Sequence, residues 1–389
     1  MKKTLKRTLK GLRVVISSHV SATGPALDLE EFLRDKVKNL LFIGHPFASV
    51  QGRPSFYRVY KAGSLQKEGE GVNFASSGIL VYLREVFYNL LWSLKQGGVI
   101  DLYIGSDGFL TYIGVLLKRL GKAKKVVYYT IDYVPNRFSN RILNELYRFV
   151  DSQSAKGADM VWNLSEKIVE ARKRFYGLES RDLAPQIVVP VGIWLERVKK
   201  NRNLTKDKNR IIFLGHLIKK QGLQVVIDAL AKISKNFPRA HLYVIGTGPY
   251  EKILKLRAKR KGIIDKVFFL GFIADHQEVE KELAKSSISV ATYAPTPDSF
   301  TYFTDPGKIK SYLAAGLPII LTNVPQIAGD LVKNRCALIT DYDAVSVARD
   351  LADLLGDDSK LKFYSANALR YAEKFDWNRI FWRALEKTL

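Results

Sequence analysis

The chain contains 389 residues, of which 47% are hydrophobic, and it carries a formal net charge of +24 at pH 7. This length is large for a single core and suggests two domains, each with enough apolar residues for its own interior. The single cysteine, Cys336, excludes an internal disulfide framework, and the sequence offers no apolar segment of the roughly 20 residues that a membrane-spanning helix needs. These features indicate a globular protein of a reducing compartment.

The N-terminal segment is strongly basic, since its first 13 residues contain six Lys or Arg side chains and no Asp or Glu. The apolar run that follows is short and lacks the small-residue cleavage site of a signal peptide. We therefore predict a basic lead-in to a first strand, in a protein of the cytoplasm.

The excess positive charge leaves three classes of partner to consider: nucleic acid, an anionic membrane surface and anionic small substrates. The sequence contains no zinc finger, basic zipper or aromatic RNA-binding motif, so a nucleic-acid partner is not expected. An anionic lipid surface would attract scattered Lys and Arg side chains without specific geometry. Attachment to the inner membrane face therefore stays open beside a free cytoplasmic location.

Short apolar runs typical of buried strands alternate with helical segments along the chain. The first series is LRVVISS, NLLFIGHPF, VIDLYIGSD, KKVVYYTID, ADMVWNLS and QIVVPVG. The second series is RIIFLGHL, AHLYVIGTG, KVFFLGFI, SISVATY, PIILTN and CALITDY. A charged, Asn-rich segment at 195–210 separates them. Apolar strands separated by helices predict parallel sheets covered on both faces, so the predicted fold class is α/β with two doubly wound domains.

The loops that follow the second series of strands contain candidate ligand contacts, because ligands of such sheets bind beyond the carboxyl ends of the strands. Their glycines permit close backbone approach, and their basic residues supply charge for a diphosphate. These residues are Gly215, His216, Lys219, Lys220, Gly246 and Gly248. The G-x-G pattern alone is weak, because short strand-to-helix turns need glycine anyway.

The stretch TDPGKIKSYLAAGLP reads as a loop, a short helix and a glycine stop at Gly316. We predict that Asp305 is the N-cap of this helix and Pro306 its first residue. Gly307 and Lys308 would then present free amides and a cation to a phosphate. Taken alone, this motif favours an ordinary capped helix that packs on a sheet over a phosphate site.

The order of these segments resembles the retaining glycosyltransferases of family 4, which have the GT-B architecture. The motifs that carry the resemblance are GHLIKKQG, VIGTG, VFFLGF, KIKSYLAAGLPI and VVPVGIW. ISSHVSATGPALDLEEFL stands where the family has its first strand and glycine loop. FDWNRIFWRALEKTL resembles the family's final helix, which returns to the first domain. The resemblance covers almost the whole chain.

The resemblance implies two Rossmann-like domains that face each other across a cleft. Residues 1–194, completed by a helix at 375–389, would bind the acceptor, and residues 195–374 would bind a nucleotide-sugar donor. The implied reaction transfers a sugar, with retention of configuration, to a glycan, polysaccharide or lipid-linked acceptor. No metal or other cofactor is expected, because protein cations and helix N-termini would stabilise the leaving diphosphate.

The resemblance also implies two sets of site residues. The donor set comprises Gly215, His216, Lys219, Lys220, Gly246, Gly248, Asp305, Gly307, Lys308 and Ser311. In the first domain, Asp132 is the candidate catalytic or acceptor-binding carboxylate, with a turn role as the alternative. Gly24 and Arg137 are candidates for acceptor contacts. His19 and His45 also end predicted strands, and we interpret them as structural residues.

Four positions depart from the usual family pattern, namely Ile131, His216, Gln221 and Ser311. The family commonly has His, Arg, Lys and Glu at these places. A neutral serine holds a ribose hydroxyl less strongly than a carboxylate does. The departures leave open a second function, a catalytically inactive nucleotide-sugar-binding subunit of a glycosyltransferase complex.

Overall fold

A computed structural model describes residues 2–20, 24–47, 53–73, 79–131, 133–134, 137–201, 203–296 and 305–389. The chain forms two compact units, Met1–Pro190 with Asn378–Leu389, and Val191–Trp377. The sequence places the corresponding boundaries after residues 194 and 374. The assignment of acceptor and donor to the units stays a prediction.

The first unit is built on an eight-stranded sheet with the order β4-β3-β2-β1-β5-β6-β7-β8. The strands are β1 (Arg13–Val20), β2 (Asn39–Pro46), β3 (Phe56–Lys61), β4 (Ser64–Glu70), β5 (Ile100–Gly105), β6 (Ala123–Thr130), β7 (Met160–Asn163) and β8 (Gln186–Val188). The six strands expected from the sequence pair in parallel.

An antiparallel hairpin, β3–β4, extends one edge of this sheet and is not among the strands predicted from the sequence. Its turn residues Ala62 and Gly63 both have positive φ, as tight hairpin turns require. β4 reads SLQKEGE and is almost wholly exposed. A polar edge strand lacks the apolar run by which buried strands are recognised.

Helices cover both faces of the first sheet. The N-terminal ones are α1 (Lys2–Leu9), α2 (Pro25–Leu33), α3 (Ile79–Lys95), α4 (Gly108–Arg119), α5 (Arg141–Gly157) and α6 (Glu166–Tyr176). Helices α3, α4 and α5 pack on one face, where Trp92, Leu110 and Ala155 share a core with strand residues such as Val15 and Tyr103.

The second unit is built on a six-stranded sheet, entirely parallel, with the order β11-β10-β9-β12-β13-β14. The strands are β9 (Arg210–Leu214), β10 (His241–Ile245), β11 (Val267–Gly271), β12 (Ile288–Ala291), β13 (Ile319–Leu321) and β14 (Ala337–Ile339). Its helices are α7 (Leu195–Lys199), α8 (Leu223–Ile233), α9 (Glu251–Arg260), α10 (His276–Ala284), α11 (Gly307–Ala314), α12 (Ala328–Lys333), α13 (Ala344–Gly356) and α14 (Asp358–Ala372).

Successive residues of these strands fill two separate cores, because side chains alternate between the faces of a sheet. Ile211 and Phe213 pack with α8, α9 and α13, whereas Ile212 packs with α10, α11, α12 and α14. This arrangement confirms the predicted α/β class with helices on both faces.

Helix α11 ends as the sequence predicts. Gly316 has a φ of 64° and follows the last helical turn. The N–H of Leu317 donates to the carbonyl of Tyr312 at 3.0 Å, and that of Gly316 donates to Leu313, also at 3.0 Å. These two bonds form a Schellman motif, which requires the left-handed backbone that glycine adopts without strain. Lys206 adds a cation that donates to the carbonyls of Ala315 and Gly316.

The last helix, α15 (Trp377–Thr388), packs on the first unit from Asn378 onwards. The ring of Phe381 lies 5.3 Å from that of Phe32, and Trp162 Nε1 donates to Thr388 Oγ1 at 3.0 Å. Within the described ranges, no helix has the length and apolar composition to cross a membrane.

Candidate functional site

The second sheet has a topological switch point at β9, which pairs with β10 on one side and β12 on the other. In open α/β sheets a crevice forms where the strand order reverses in this way. The loops after β9 and β12 meet there: the N–H of Ala294 donates to the carbonyl of Lys220, and Thr292 Oγ1 donates to that of Gly222. The first turn of α11 reaches the same point through Lys308.

Lys308 is the central charged group of this crevice. Its Nζ donates to Gln221 Oε1 at 2.6 Å and lies 4.5 Å from the ring centroids of both Phe213 and Tyr293. Burial lowers the pKa of its amine to about 7, because the protein interior solvates the charge poorly. An anion that entered the crevice would restore the positive charge.

Gly215 opens the space next to Lys308. Its φ of 149° lies in the region that favours glycine, and a Cβ there would sit 3.2 Å from Lys308 Nζ. A ligand can therefore reach the Lys308 amino group past the backbone of Gly215, where no side chain stands in the way. The structure therefore brings together two residues of the predicted donor set, together with Gln221.

Gly246 and Gly248 serve loop packing. A Cβ on Gly246 would come within 2.1 Å of the Gly215 carbonyl oxygen, and one on Gly248 within 2.4 Å of the Leu217 carbonyl oxygen. The loop after β10 can lie against the loop after β9 only because both positions lack a side chain. A direct contact of either glycine with a donor stays a prediction.

The other predicted donor residues lie on the same two segments. His216 and Lys219 are exposed and Lys220 is half-buried, all between β9 and α8. Ser311 is half-buried in α11, with its Oγ 3.5 Å from the carbonyl oxygen of Gly307.

The predicted N-terminal cap of α11 is wrong. The helix begins at Gly307, Pro306 occupies the N-cap position, and no side chain caps it. Asp305 instead accepts from the N–H of Val191 at 2.9 Å and forms an ion pair with Lys310. Lys310 is fully buried, and an unpaired ammonium there would cost far more than an N-cap bond contributes.

Two functional-site residues were missed from the sequence, Lys310 and the hydroxyl of Tyr312. The Tyr312 hydroxyl accepts from the N–H of Leu214 at 2.7 Å and donates to the carbonyl of Val290 at 3.3 Å. It therefore ties β9 to β12 at the switch point. The sequence signal that could have revealed Lys310 is its position between two apolar residues of the helix, Ile309 and Tyr312.

The first sheet has its own switch point at β1, between β2 and β5. His19 is the penultimate residue of β1, and Asp107 follows β5 as the N-cap of α4, where it accepts from the N–H of Leu110. His19 Nδ1 lies 2.6 Å from Asp107, and its Nε2 lies 3.2 Å from Glu85 of α3. These three residues form a cluster that we call the His19 cluster.

Electrostatics fix the charges of the His19 cluster. Burial alone would lower the pKa of His19, but the carboxylates of Asp107 and Glu85 outweigh it and raise the pKa to about 10. Burial also opposes ionisation of Asp107, yet the charge of His19 and its hydrogen bonds hold the pKa of that carboxyl below its usual range. The imidazolium thus stands between two carboxylates, and its interpretation as a merely structural histidine is incomplete.

His45, at the end of β2, is fully buried beside this cluster and differs from it. Burial, then the charge of His19, hold its pKa well below the ordinary value. Its ring nitrogens contact Ser55 Oγ at 2.9 Å and Asn89 Nδ2 at 2.7 Å. Asn89 in turn accepts from Ser17 Oγ at 2.6 Å. A neutral, fully bonded ring of this kind supports the structural interpretation of His45.

The predicted acceptor residues are placed as follows. Gly24 precedes α2 with a φ of 154°, and a Cβ there would meet no atom within 4 Å. The guanidinium of Arg137 lies 5.8 Å from the Tyr147 ring, and its charge contributes to the lowered pKa of Asp107. Asp132 lies outside the described residues. In the part of the chain that is described, no three His, Cys, Asp or Glu side chains could hold a metal ion.

Comparison with known proteins finds a family likeness in the second unit. Residues 196–371 match the family of glycosyl transferases group 1. We refer to this segment, by that likeness, as the group 1 domain. The group 1 domain includes the switch-point crevice, α11 and the Asp305–Lys310 pair.

Curated relatives match only part of the chain. An uncharacterized glycosyltransferase of Methanocaldococcus jannaschii is 26% identical over 193 residues, which is 48% of this chain and 47% of that protein. A phosphatidyl-myo-inositol mannosyltransferase of Mycobacterium leprae is 26% identical over 172 residues, 43% of each chain. The match thus spans less than half of the length of either relative.

Solved structures match the group 1 domain and the first unit together. Sucrose-phosphate synthase from Thermosynechococcus elongatus is 15% identical, with a TM-score of 0.69 over 97% of this chain and 100% of that one. Anabaena HepE in complex with UDP is 18% identical, with a TM-score of 0.68 over 97% and 99%. At these identities the likeness shows the fold alone, and it confirms the predicted GT-B fold class of two parallel-sheet α/β domains.

Proposed function

We propose that the protein is a retaining glycosyltransferase, which moves a sugar from a nucleotide-sugar donor to a hydroxyl of a glycan, polysaccharide or lipid-linked acceptor. The observation that carries this proposal is Lys308, an amine with a lowered pKa at the switch point of the group 1 domain. The alternative is a subunit that binds the nucleotide sugar without turning it over.

The crevice suits the leaving diphosphate of such a reaction. Negative charge develops on that diphosphate as the glycosidic bond breaks, and preorganised cations and amides stabilise it. Lys308 supplies the cation, and the first turn of α11 supplies amides whose partial charge favours an anion. Once the amine is protonated, the rings of Phe213 and Tyr293 hold it through cation–π attraction.

The protonation of Lys308 follows from its surroundings. With a pKa of about 7, the amine is largely neutral at pH 8 before a ligand arrives. The charge of a diphosphate raises that pKa, so binding above pH 7 takes up a proton from solution. We therefore expect donor affinity to decline as pH rises above 7.

The acceptor would bind to the first unit. Although burial opposes it, the charge of His19 holds the pKa of Asp107 below its usual range, so that carboxylate can accept hydrogen bonds from sugar hydroxyls. Asp132 is retained as the candidate catalytic carboxylate, with Gly24 and Arg137 as candidate acceptor contacts. The name of the Mycobacterium leprae relative favours a lipid-linked acceptor for the first assays.

The test of the donor site is a thermal-shift panel of UDP, GDP and their sugars, since HepE was crystallised with UDP. A ligand at roughly 100 times its dissociation constant adds about 2.7 kcal/mol of stability. We expect Lys308→Ala to abolish the shift, and we expect the wild-type shift to be larger at pH 6.5 than at pH 8.5. The matched control is Lys259→Ala, an exposed lysine on α9 of the same unit.

An unchanged shift in Lys308→Ala would remove Lys308 from the donor site. Binding without transfer or donor hydrolysis would favour the non-catalytic subunit. Where transfer is seen, the anomeric configuration of the product, read by NMR, decides whether the reaction is retaining.

A further inference from the structure

Three neighbouring helices of the first unit expose large apolar side chains. Helix α4 packs between the other two: its Phe109 ring lies 5.4 Å from the ring of Tyr82 in α3, and its Gly108 lies against Asp151 in α5. The exposed residues are Leu80, Leu83, Phe87 and Leu94 on α3, Leu116 and Leu120 at the C-terminal end of α4, and Ile142, Leu143, Leu146 and Phe149 on α5. We call this set, with the exposed cations of the same helices, the α3–α5 face.

The exposed residues form continuous stripes along the helices. On α5, Ile142, Leu146 and Phe149 follow helical spacing and are 78%, 52% and 56% exposed. Leu80, Leu83 and Phe87 repeat the spacing on α3. Such a stripe normally marks the side of a helix that faces the core.

The core-facing side of these helices is already occupied by other residues. Tyr88 and Trp92 of α3 and Ala155 of α5 belong to the buried cluster under the sheet. The helices therefore carry a second apolar side, which is turned away from their own core. Contiguous exposed apolar surface of this kind marks an interaction site more often than chance exposure does.

The charges of this face select the kind of partner. The exposed charged residues described on α3, α4 and α5 are Lys95, Arg119, Arg141, Lys156 and a single acid, Glu145. Lys156 lies seven residues after Phe149 and so continues the α5 stripe. A second copy of the chain would meet this basic surface with its own charge of +24. A partner that offers both apolar and anionic surface complements this face better than a second copy of the chain does.

We propose that the α3–α5 face docks the protein onto the surface of a membrane that contains anionic lipids. The leucine, isoleucine and phenylalanine side chains enter the interface between headgroups and acyl chains, as in helices that lie in the membrane plane. The Lys and Arg side chains pair with lipid phosphates at its rim. The face uses no residue of the donor site, so it stands or falls separately from the proposed activity.

The test is co-sedimentation of the full-length protein with vesicles. One set contains equal parts of phosphatidylcholine and phosphatidylglycerol, and the other contains phosphatidylcholine alone. We expect binding to the anionic vesicles and much weaker binding to the neutral ones, with a loss at high salt. The double variant Ile142→Ser/Phe149→Ser should lose binding by at least about tenfold, because each removed side chain buries apolar area in the interface.

Matched controls separate docking through the α3–α5 face from non-specific adsorption to lipid. Ile253→Ser/Phe272→Ser removes two exposed apolar residues, 49% and 66% exposed, from the second unit, and should bind like the wild type. Arg141→Gln/Lys156→Gln should bind less tightly, whereas Lys259→Gln/Arg260→Gln on α9 should not. The circular dichroism spectrum and melting temperature of every variant, measured without ligand, report whether it is folded.

Three outcomes would overturn the proposal. The wild type could fail to bind either kind of vesicle, or Ile142→Ser/Phe149→Ser, the α5 serine variant, could bind them as tightly as the wild type does. Alternatively, sedimentation velocity could show a dimer that the α5 serine variant dissociates, which would make the face an interface between two copies.

Discussion

His19 shows, at the scale of a single residue, how two carboxylates determine the charge of a side chain. An imidazole in water loses its proton near pH 6.5, whereas His19 keeps it to about pH 10 between Asp107 and Glu85. Its raised pKa stabilises the folded protein fully below pH 6.5, and that stabilisation is lost as pH rises from 6.5 towards 10. Lys206 and Lys308, whose pKa values are lowered by burial, act in the opposite direction.

We predict that the difference in unfolding free energy between the wild type and His19→Gln shrinks as pH rises from 7 to 10. The wild type should lose its advantage over the variant, a few kcal/mol, across this range. Urea denaturation at several pH values measures it. The lysine contributions are common to both proteins, so they cancel in the difference.

The side-chain NMR spectrum of the wild type gives an independent check of the same assignment. At pH 7 His19 should show the nitrogen shifts of an imidazolium and His45 those of a neutral ring. A titration of His19 near pH 6.5 would contradict the arrangement.

At the scale of secondary-structure elements, the loops of the group 1 domain are held together by glycines. Gly246 has a φ of 125°, and its Cα lies against the backbone of Gly215, which cannot move aside as a flexible side chain could. The position of Gly215, and hence access to Lys308, therefore depends on a residue in a different loop.

We predict that Gly246→Ala destabilises the protein by more than about 2 kcal/mol, through backbone strain and the contact with Gly215. It should also weaken UDP binding. Gly329→Ala on α12 is the control, because a Cβ there meets nothing within 4 Å. That change should be neutral or stabilising by up to about 1 kcal/mol. Equal melting temperatures for the two variants would disprove the packing role of Gly246.

At the scale of the whole molecule, the chain returns to its first unit after completing the second. Phe381 and Leu385 of α15 are fully buried there, more than 180 residues after Pro190. We predict that Phe381→Ala costs about 3–5 kcal/mol of unfolding free energy, as large-to-small core changes do. Glu386→Ala, exposed on the same helix, should cost little.

Hydrogen exchange locates the effect of Phe381→Ala. Protection should fall in β1, β6 and β7 of the first unit and persist in β9 to β14. Loss of protection confined to the second unit would contradict this prediction, because it would show that α15 stabilises the second unit and not the first.

The local pattern of apolar residues along the chain was sufficient to predict the α/β architecture. All twelve apolar runs form strands, because a buried parallel strand must be apolar on both faces and so leaves a continuous signal in the chain. The end of α11 at Gly316 was also predictable, since a left-handed backbone needs glycine. The hairpin β3–β4 was not predicted, because an exposed edge strand needs no apolar run.

The sequence by itself determined the α/β class, the two series of strands and the loops in which a phosphate site was expected, since each of these is encoded by neighbours along the chain. Only the tertiary structure decided that Asp305 pairs with Lys310, that Lys308 meets Gln221, and that His19 stands between Glu85 and Asp107. Lys308 and Gln221 are separated by 87 residues, and His19 and Asp107 by 88. Burial is a property of the folded state, and it sets both the cost of an unpaired charge and the partner that offsets it.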